Sequence, residues 1–233
     1  MTHDRSEGDG VSAGDRPSDL TTLIANLDEA RSLALVQARV AAGDDPLTII
    51  HDCQRGMQRI GDLYQSGEYF ISGLIMAGEI FREVMSIVEP LISEPTSRAE
   101  NGTVLLCTVQ GDIHDIGKDI VDLLLRTRGI VVHDLGVDVS AAEVARQALA
   151  LRPDVVGLSG LLTTSHASMR ATVVEMRRVA EQLGRPLPVI VGGNQVDEHI
   201  GEWTGADHWT NDAVRGVGII QSLLTAQHDG GKS

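Results

Sequence analysis

The segment Gly111-Asp112-Ile113-His114-Asp115-Ile116-Gly117-Lys118 sets a histidine two residues after a carboxylate and three before a glycine. An apolar, strand-like stretch, Thr103 to Val109, leads into it, and an amphipathic stretch leads away. A histidine on a loop leaving a strand, with a carboxylate beside it, is placed to ligate a metal; Gly117 lets a bulky group lie against the backbone. Such loops, at the carboxyl ends of strands, are where open α/β sheets bind cofactors. Two more segments share that position: Gly157-Leu158-Ser159-Gly160-Leu161-Leu162-Thr163-Thr164-Ser165 and Val191-Gly192-Gly193-Asn194. Residues 118 to 158, 41 in all, separate Gly117 from Ser159, and 30 residues, 162 to 191, lead on to the glycine pair.

Each segment taken alone has an ordinary reading. His114 can be a polar loop residue with Asp112 as a cap, Gly192-Gly193 a strand-to-helix turn, and Ser159 or Ser165 a helix cap. Asp115 and Lys118 read as a solvated pair at a helix start. The other histidines read as surface residues, with only His166, beside Ser165, placed near the same loops.

The elements that must carry these loops follow from periodicity. Beyond Ser93-Glu94-Pro95-Thr96-Ser97 the strand candidates are Val104–Val109, Ile130–His133, Val155–Ser159, Pro188–Val191 and a short one near His208. Helical patterns alternate with them at Lys118–Thr127, Ala141–Leu151, Ser168–Leu183 and Ala213–Ala226. Strands alternating with helices predict a doubly wound, flavodoxin-like five-stranded parallel sheet. Ahead of it the pattern is purely helical. Ser18 or Asp19 caps a helix that buries Leu20, Leu23, Ile24, Leu27 and Leu35, and Gly43-Asp44-Asp45-Pro46 ends it and starts the next. Ile50, Cys53, Met57, Ile60 and Tyr64 form the stripe of a second helix closed by Gly67. A third runs from about Tyr69 to Ile92, and its Tyr69, Phe70, Leu74, Ile75 and Met76 read by default as bundle core. The class is therefore α + α/β: a disordered tail (1–17), an N-terminal helical-bundle cap (18–94), a linker (95–101), an α/β domain (102–228) and a short tail (229–233).

Composition narrows the function. A net charge of −14 over 233 residues disfavours nucleic acid and anionic membrane surfaces as partners. The absence of a signal-like N-terminus and of a long apolar run points to the cytoplasm. Cys53 and Cys107, far apart and set in apolar patterns, read as two buried thiols rather than a disulfide or a zinc site.

Asp112-x-His114-x-x-Gly117, 41 residues, Ser159-x-Leu161, then Gly192-Gly193 resembles the cobalamin-binding domain of methionine synthase and related corrinoid proteins. Its last gap is slightly longer than in methionine synthase, a departure that falls on a helix and its flanking loops. Gly61-Asp62-Leu63-Tyr64-Gln65-Ser66-Gly67-Glu68-Tyr69-Phe70-Ile71, followed by Leu74-Ile75-Met76-Ala77, is similar to the helical cap of the small corrinoid proteins that serve methanol, methylamine, glycine betaine or aryl-ether methyltransferases. The resemblance spans residues 20 to 227. It implies cobalamin or a related corrinoid bound base-off, with His114 replacing the cofactor's own base as lower cobalt ligand. It further implies that Asp112 accepts the hydrogen of the distal imidazole nitrogen and that Ser165 continues the relay. The segment Asp112, Ile113, His114, Asp115, Ile116 and Gly117 would bind the cofactor; Ser159, Leu161 and Thr163 would line a slot for its nucleotide tail; Gly192 and Gly193 would leave that slot open. Residues near Tyr69 to Met76 would shield the upper face.

What the resemblance implies about function is a methyl carrier. A substrate:corrinoid methyltransferase would load Co(I), methyl-Co(III) (methylcobalamin) would pass its methyl to a corrinoid:acceptor methyltransferase acting on tetrahydrofolate or a thiol, and a reductive activator would rescue Co(II). The cap would swing on Pro95 to Arg98. Two other cobalamin-dependent classes share parts of the pattern. A sensor or regulator has a similar cap but usually a basic DNA-binding domain, for which the first 17 residues give no material. The small subunit of an adenosylcobalamin mutase would lack this cap.

Overall fold

A computed structural model describes residues 19–92 and 101–230. The expected N-terminal tail, the hinge at Pro95 to Arg98 and most of the linker lie outside the described residues. The chain divides into two compact units after Leu91.

The first unit contains four helices among its described residues: α1 (Leu20–Ala25), α2 (Glu29–Ala42), α3 (Pro46–Gln65) and α4 (Ile71–Ile92). Where the pattern predicts one helix from Asp19 to Ala42 there are two. Leu27 takes a left-handed backbone (φ 56°), and Asp28 starts a new helix by accepting from the Arg31 amide at 3.2 Å. The hydrophobic stripe runs through this corner because both helices bury side chains against the same core: Leu20, Leu23 and Ile24 from α1, Val36 from α2. Asp19 caps α1 through the Thr22 amide at 2.7 Å; Asp45, followed by Pro46, caps α3. Gly56 is required where α1 crosses α3, since a methyl group there would lie 2.6 Å from Ile24 Cβ.

The second unit is a parallel sheet, β1 (Thr103–Thr108), β2 (Val131–Asp134), β3 (Val155–Ser159), β4 (Val189–Gly192) and β5 (His208–Thr210), in the order β2-β1-β3-β4-β5. That order reverses direction between β1 and β3, the point at which doubly wound sheets bind ligands. Helices α5 (Ile116–Thr127), α6 (Ala141–Leu151), α7 (His166–Leu183), α8 (Glu198–Thr204) and α9 (Ala213–Gly230) connect and cover the strands, with α5 beside α9 and α7 beside both α6 and α8. Helix α9 continues to Gly230, into the segment expected to be tail, and the short α8 carries too little pattern to be read from sequence. The core of this unit joins Leu105, Cys107, Val156, Leu158, Val189 and Val191 of the strands to Val144, Met169, Val173 and Met176 of α6 and α7. Both thiols are fully buried, and burial pushes each up to about 12.

Candidate functional site

Four residues of the sheet lie in one row at its carboxyl edge. Thr108 registers with Ser159, Ser159 with Gly192, and Gly192 with Thr210. The loops of the three sequence motifs leave from this row.

The loop after β1 opens with a tight turn in which the Asp112 amide donates to the Val109 carbonyl at 3.2 Å and Gly111 takes φ 87°, a geometry that favours glycine. The turn drives the Asp112 side chain inward until it is wholly buried. There Oδ1 meets His114 Nδ1 at 2.6 Å and accepts from the His114 amide at 3.1 Å. Oδ2 accepts from the amides of Leu161 and Leu162, on the loop after β3, at 2.7 and 2.8 Å. Burial alone would raise the Asp112 carboxyl, but the donors at Leu162, His114 and Leu161 outweigh it and hold the group below its ordinary value. An ionised Asp112 accepts a hydrogen bond from Nδ1–H and so fixes the imidazole tautomer. The His114 side chain stays 48 % exposed, and its Nε2 has no partner among the described residues. Thr108 completes the support by donating its hydroxyl hydrogen to the His114 carbonyl at 2.9 Å.

These residues fit the cofactor that the sequence resemblance implies. An imidazole with Nδ1 held and Nε2 free is the state a metal needs. The loops after β1, β2 and β3 each expose a large apolar side chain, Ile113, Val137 and Leu162, suited to a broad and largely apolar ligand. A methyl group added at Gly117 would meet nothing within 4 Å, which leaves open space at the start of α5. His166 opens the buried stripe that continues through Met169, Val173 and Met176, and its Nε2 is buried without a hydrogen-bond partner. Buried polar atoms are nearly always satisfied, so this one is in keeping with a ligand group at that end of α7.

Not every expected residue does what its pattern suggested. Ser165 is buried, yet its hydroxyl donates to the Leu162 carbonyl at 2.6 Å and does not reach Asp112. It braces the turn whose amides hold the carboxylate, and the expected bond from Ser165 into the Asp112–His114 pair is not made among the described residues. Nor does it cap α7 through its side chain. At Gly193 (φ 153°) a methyl group would lie 1.9 Å from the Gly160 carbonyl oxygen, so the missing side chain makes room for neighbouring backbone rather than for a ligand. Gly192 would tolerate one at ordinary contact with Thr210. Ser159 and Leu161 are half-buried, Thr163 is exposed in a short 3-10 turn, and Ile116 opens α5. Asp115 is exposed without a side-chain capping bond. Lys118, expected to be solvated with it, is instead buried and pairs with Asp119 and Asp134. In the helical unit, Phe70 is 80 % exposed and Ile75 and Met76 are also exposed, which overturns their reading as core. Tyr69 and Gly73 occupy the inner side, the Tyr69 hydroxyl donating to the Ala25 carbonyl at 3.0 Å.

Sequence reasoning missed Thr108, Asp138 and the Leu162 amide. A buried threonine ending an apolar strand is a weak signal for the first; partners of backbone amides leave no mark in sequence.

Comparison with known proteins identifies the family. Residues 102–218 match the family model described as B12 binding domain, and residues 18–89 match a second model of the same description. Trimethylamine corrinoid protein 2 of Methanosarcina acetivorans is 32 % identical over 208 residues, 86 % of this chain and 93 % of that protein. Methionine synthase of Mycobacterium tuberculosis is 31 % identical over 191 residues, 78 % of this chain but only 16 % of that much longer protein. Among solved structures, the monomethylamine corrinoid protein of Methanosarcina barkeri superimposes with a TM-score of 0.75 at 28 % identity, covering 88 % of this chain and 96 % of that one. With both of its units accounted for in this way, the chain belongs to the B12-binding domain family and has the two-part build of its small corrinoid proteins.

Proposed function

We propose that this protein is a cytoplasmic corrinoid methyl carrier. It receives a methyl group through a partner substrate methyltransferase and yields it to a second methyltransferase that acts on tetrahydrofolate or a thiol, with a reductive activator as third partner. The reading draws on methyltransferase-linked relatives that the chain matches over most of its length, such as the trimethylamine corrinoid protein, and on the absence of any described helix long and apolar enough to cross a membrane. The chain spans only about a sixth of methionine synthase, so the reading takes nothing from that enzyme's other modules.

The observation that carries it is the Asp112–His114 pair. His114 would hold cobalt through Nε2, and Asp112 keeps the imidazole in the tautomer that permits this. The cobalt, when bound, supplies the chemistry of taking up and releasing a methyl group. The chain's own work is to orient and tune. The amides of Leu161 and Leu162 hold the Asp112 carboxylate ionised, which retains the proton on Nδ1 and raises the donor strength of Nε2. Ile113 and Leu162 offer exposed apolar surface on the loops after β1 and β3, and the space at Gly117 would admit the displaced nucleotide tail.

The test is paramagnetic resonance of protein reconstituted with the Co(II) cofactor, prepared with ordinary and with isotopically heavy histidine. Wild-type protein should show nitrogen coupling that changes with the histidine label, and His114→Ala should lose it. Coupling indifferent to the label would mean that the cofactor keeps its own base, which refutes the proposal.

A further inference from the structure

We infer that Asp138 is a positioning residue for the metal-ligating histidine. This rests on the reading of His114 as ligand. Asp138 lies on the loop after β2, on the opposite side of the β1 loop from Leu161 and Leu162. Its carboxylate Oδ1 accepts from the Gly111 amide at 2.8 Å, and its own amide donates to the Asp112 carbonyl at 3.0 Å. The two bonds grip both flanks of the Gly111–Asp112 pair, the turn that drives the Asp112 side chain inward toward His114. The same stretch is tied to the strand end by Thr108 amide to Gly136 carbonyl (2.9 Å) and Val139 amide to Thr108 carbonyl (3.0 Å).

Asp138 also holds a left-handed backbone, φ 54°, in a residue other than glycine. Aspartate tolerates that region better than most side chains, yet glycine would occupy it at lower cost. An aspartate at a glycine-like position, with its carboxylate on the Gly111 amide, is explained by the clamp. The Asp112 carboxylate fastens the loop to β3 through Leu161 and Leu162; Asp138 fastens it to β2. With the Asp138 carboxylate in place both flanks of the turn are held; without it the main-chain bonds remain but the Gly111 flank is released, and the turn and the His114 ring it presents gain freedom there.

Three substitutions separate the clamp from backbone preference. Asp138→Asn keeps an acceptor and the left-handed tolerance, Asp138→Gly keeps only the tolerance, and Asp138→Ala keeps neither. In the cofactor-free protein, hydrogen exchange at the Gly111 amide should accelerate about fivefold or more in the Gly and Ala variants and stay near wild type in the Asn variant, as expected for loss of one hydrogen bond. In protein loaded with the Co(II) cofactor, the ratio of histidine-coupled to uncoupled signal should fall by a similar factor in the Gly variant and recover in the Asn variant. Tryptophan fluorescence should show the Gly variant folded. A Gly variant matching wild type in both exchange and coupling overturns the inference while leaving His114 as ligand. Wild-type protein without histidine coupling overturns the ligand reading, and the inference with it.

Discussion

Replacing Asp112 tests the physical core of the site, because one buried carboxylate joins the two loops and fixes the imidazole. In Asp112→Ala the amides of Leu161, Leu162 and His114 and the Nδ1 hydrogen lose their acceptor. Hydrogen bonds to an ionised group contribute roughly 1.5–3 kcal/mol each when buried. The Leu162 residue is exposed and Leu161 half-buried, so water takes back part of that loss. A net cost of about 3 kcal/mol remains after that discount. Both tryptophans, Trp203 and Trp209, lie in the α/β unit, so their fluorescence in urea reports this unit and not the helical one. With a slope of about 2 kcal/mol per molar urea, the midpoint should fall by about 1.5 M. Asp112→Asn keeps the volume and one oxygen, and if that oxygen serves Leu161 and Leu162, its NH2 faces the His114 nitrogens. The variant should lose only about 1–2 kcal/mol but push the imidazole to the tautomer protonated on Nε2, which cannot ligate. Its protein-nitrogen coupling should therefore collapse although the fold survives. The acid limb supplies a further check. Asp112 titrates below its ordinary 3.8, so its contribution is present above that pH and is lost as pH falls through the lowered value. Asp112→Asn should flatten that limb. An Ala variant within about 0.5 kcal/mol of wild type, the range of ordinary surface substitutions, or an Asn variant with undiminished coupling, would refute the reasoning.

Four other outcomes follow from the same structure. Gly193→Ala should cost about 3 kcal/mol or abolish folding of the α/β unit, since the added methyl would sit 1.9 Å from the Gly160 oxygen; Gly117→Ala, in open space on a helix, should stabilise the cofactor-free protein by about 0.5–1 kcal/mol yet weaken corrinoid uptake, checked by urea titration and by absorbance of the reconstituted protein. Cys53 and Cys107 should resist a thiol reagent until the chain unfolds; because burial raises each from 9.0 to about 12, stability is intact below pH 9.0 and declines as pH climbs toward 12, followed by circular dichroism. Phe70→Ser and Ile75→Ser should leave helical-unit stability within about 0.5 kcal/mol, since both side chains are exposed, while shortening the lifetime of the methylated protein in light; an unchanged lifetime would remove these residues from a shielding role.

Much of the site was legible because its signals are local. The apolar runs that became β1, β3 and β4, the glycine at 111 and the Asp-x-His spacing all act within a few residues, and the 2.6 Å contact between Asp112 and His114 is such a neighbour interaction. Less legible was anything decided by a partner far along the chain. Even a near partner could mislead: Ser165 had two reasonable roles from sequence and took a third, donating to the carbonyl of Leu162 three residues earlier. Leu27 belonged to the hydrophobic stripe and still broke the helix, because a stripe records which side chains are buried and not whether the backbone turns a corner between them. Phe70 and Ile75 read as core for the same reason: periodicity identifies an apolar face but not whether anything covers it.

By itself, then, the order of residues determined the five strands, the longer helices that alternate with them, and which side chains are chemically able to ligate a metal. Only the folded sheet decided which of them meet. The reversal between β1 and β3 brings the Asp112 carboxylate to amides some fifty positions away, 2.7 and 2.8 Å distant, and the loop after β2 brings Asp138 to the other side of the turn. In those bonds the donors are main-chain amides, which every residue but proline possesses, so nothing at Gly111, Leu161 or Leu162 announces them. They arise from strand order and register, which are set by packing across the whole sheet.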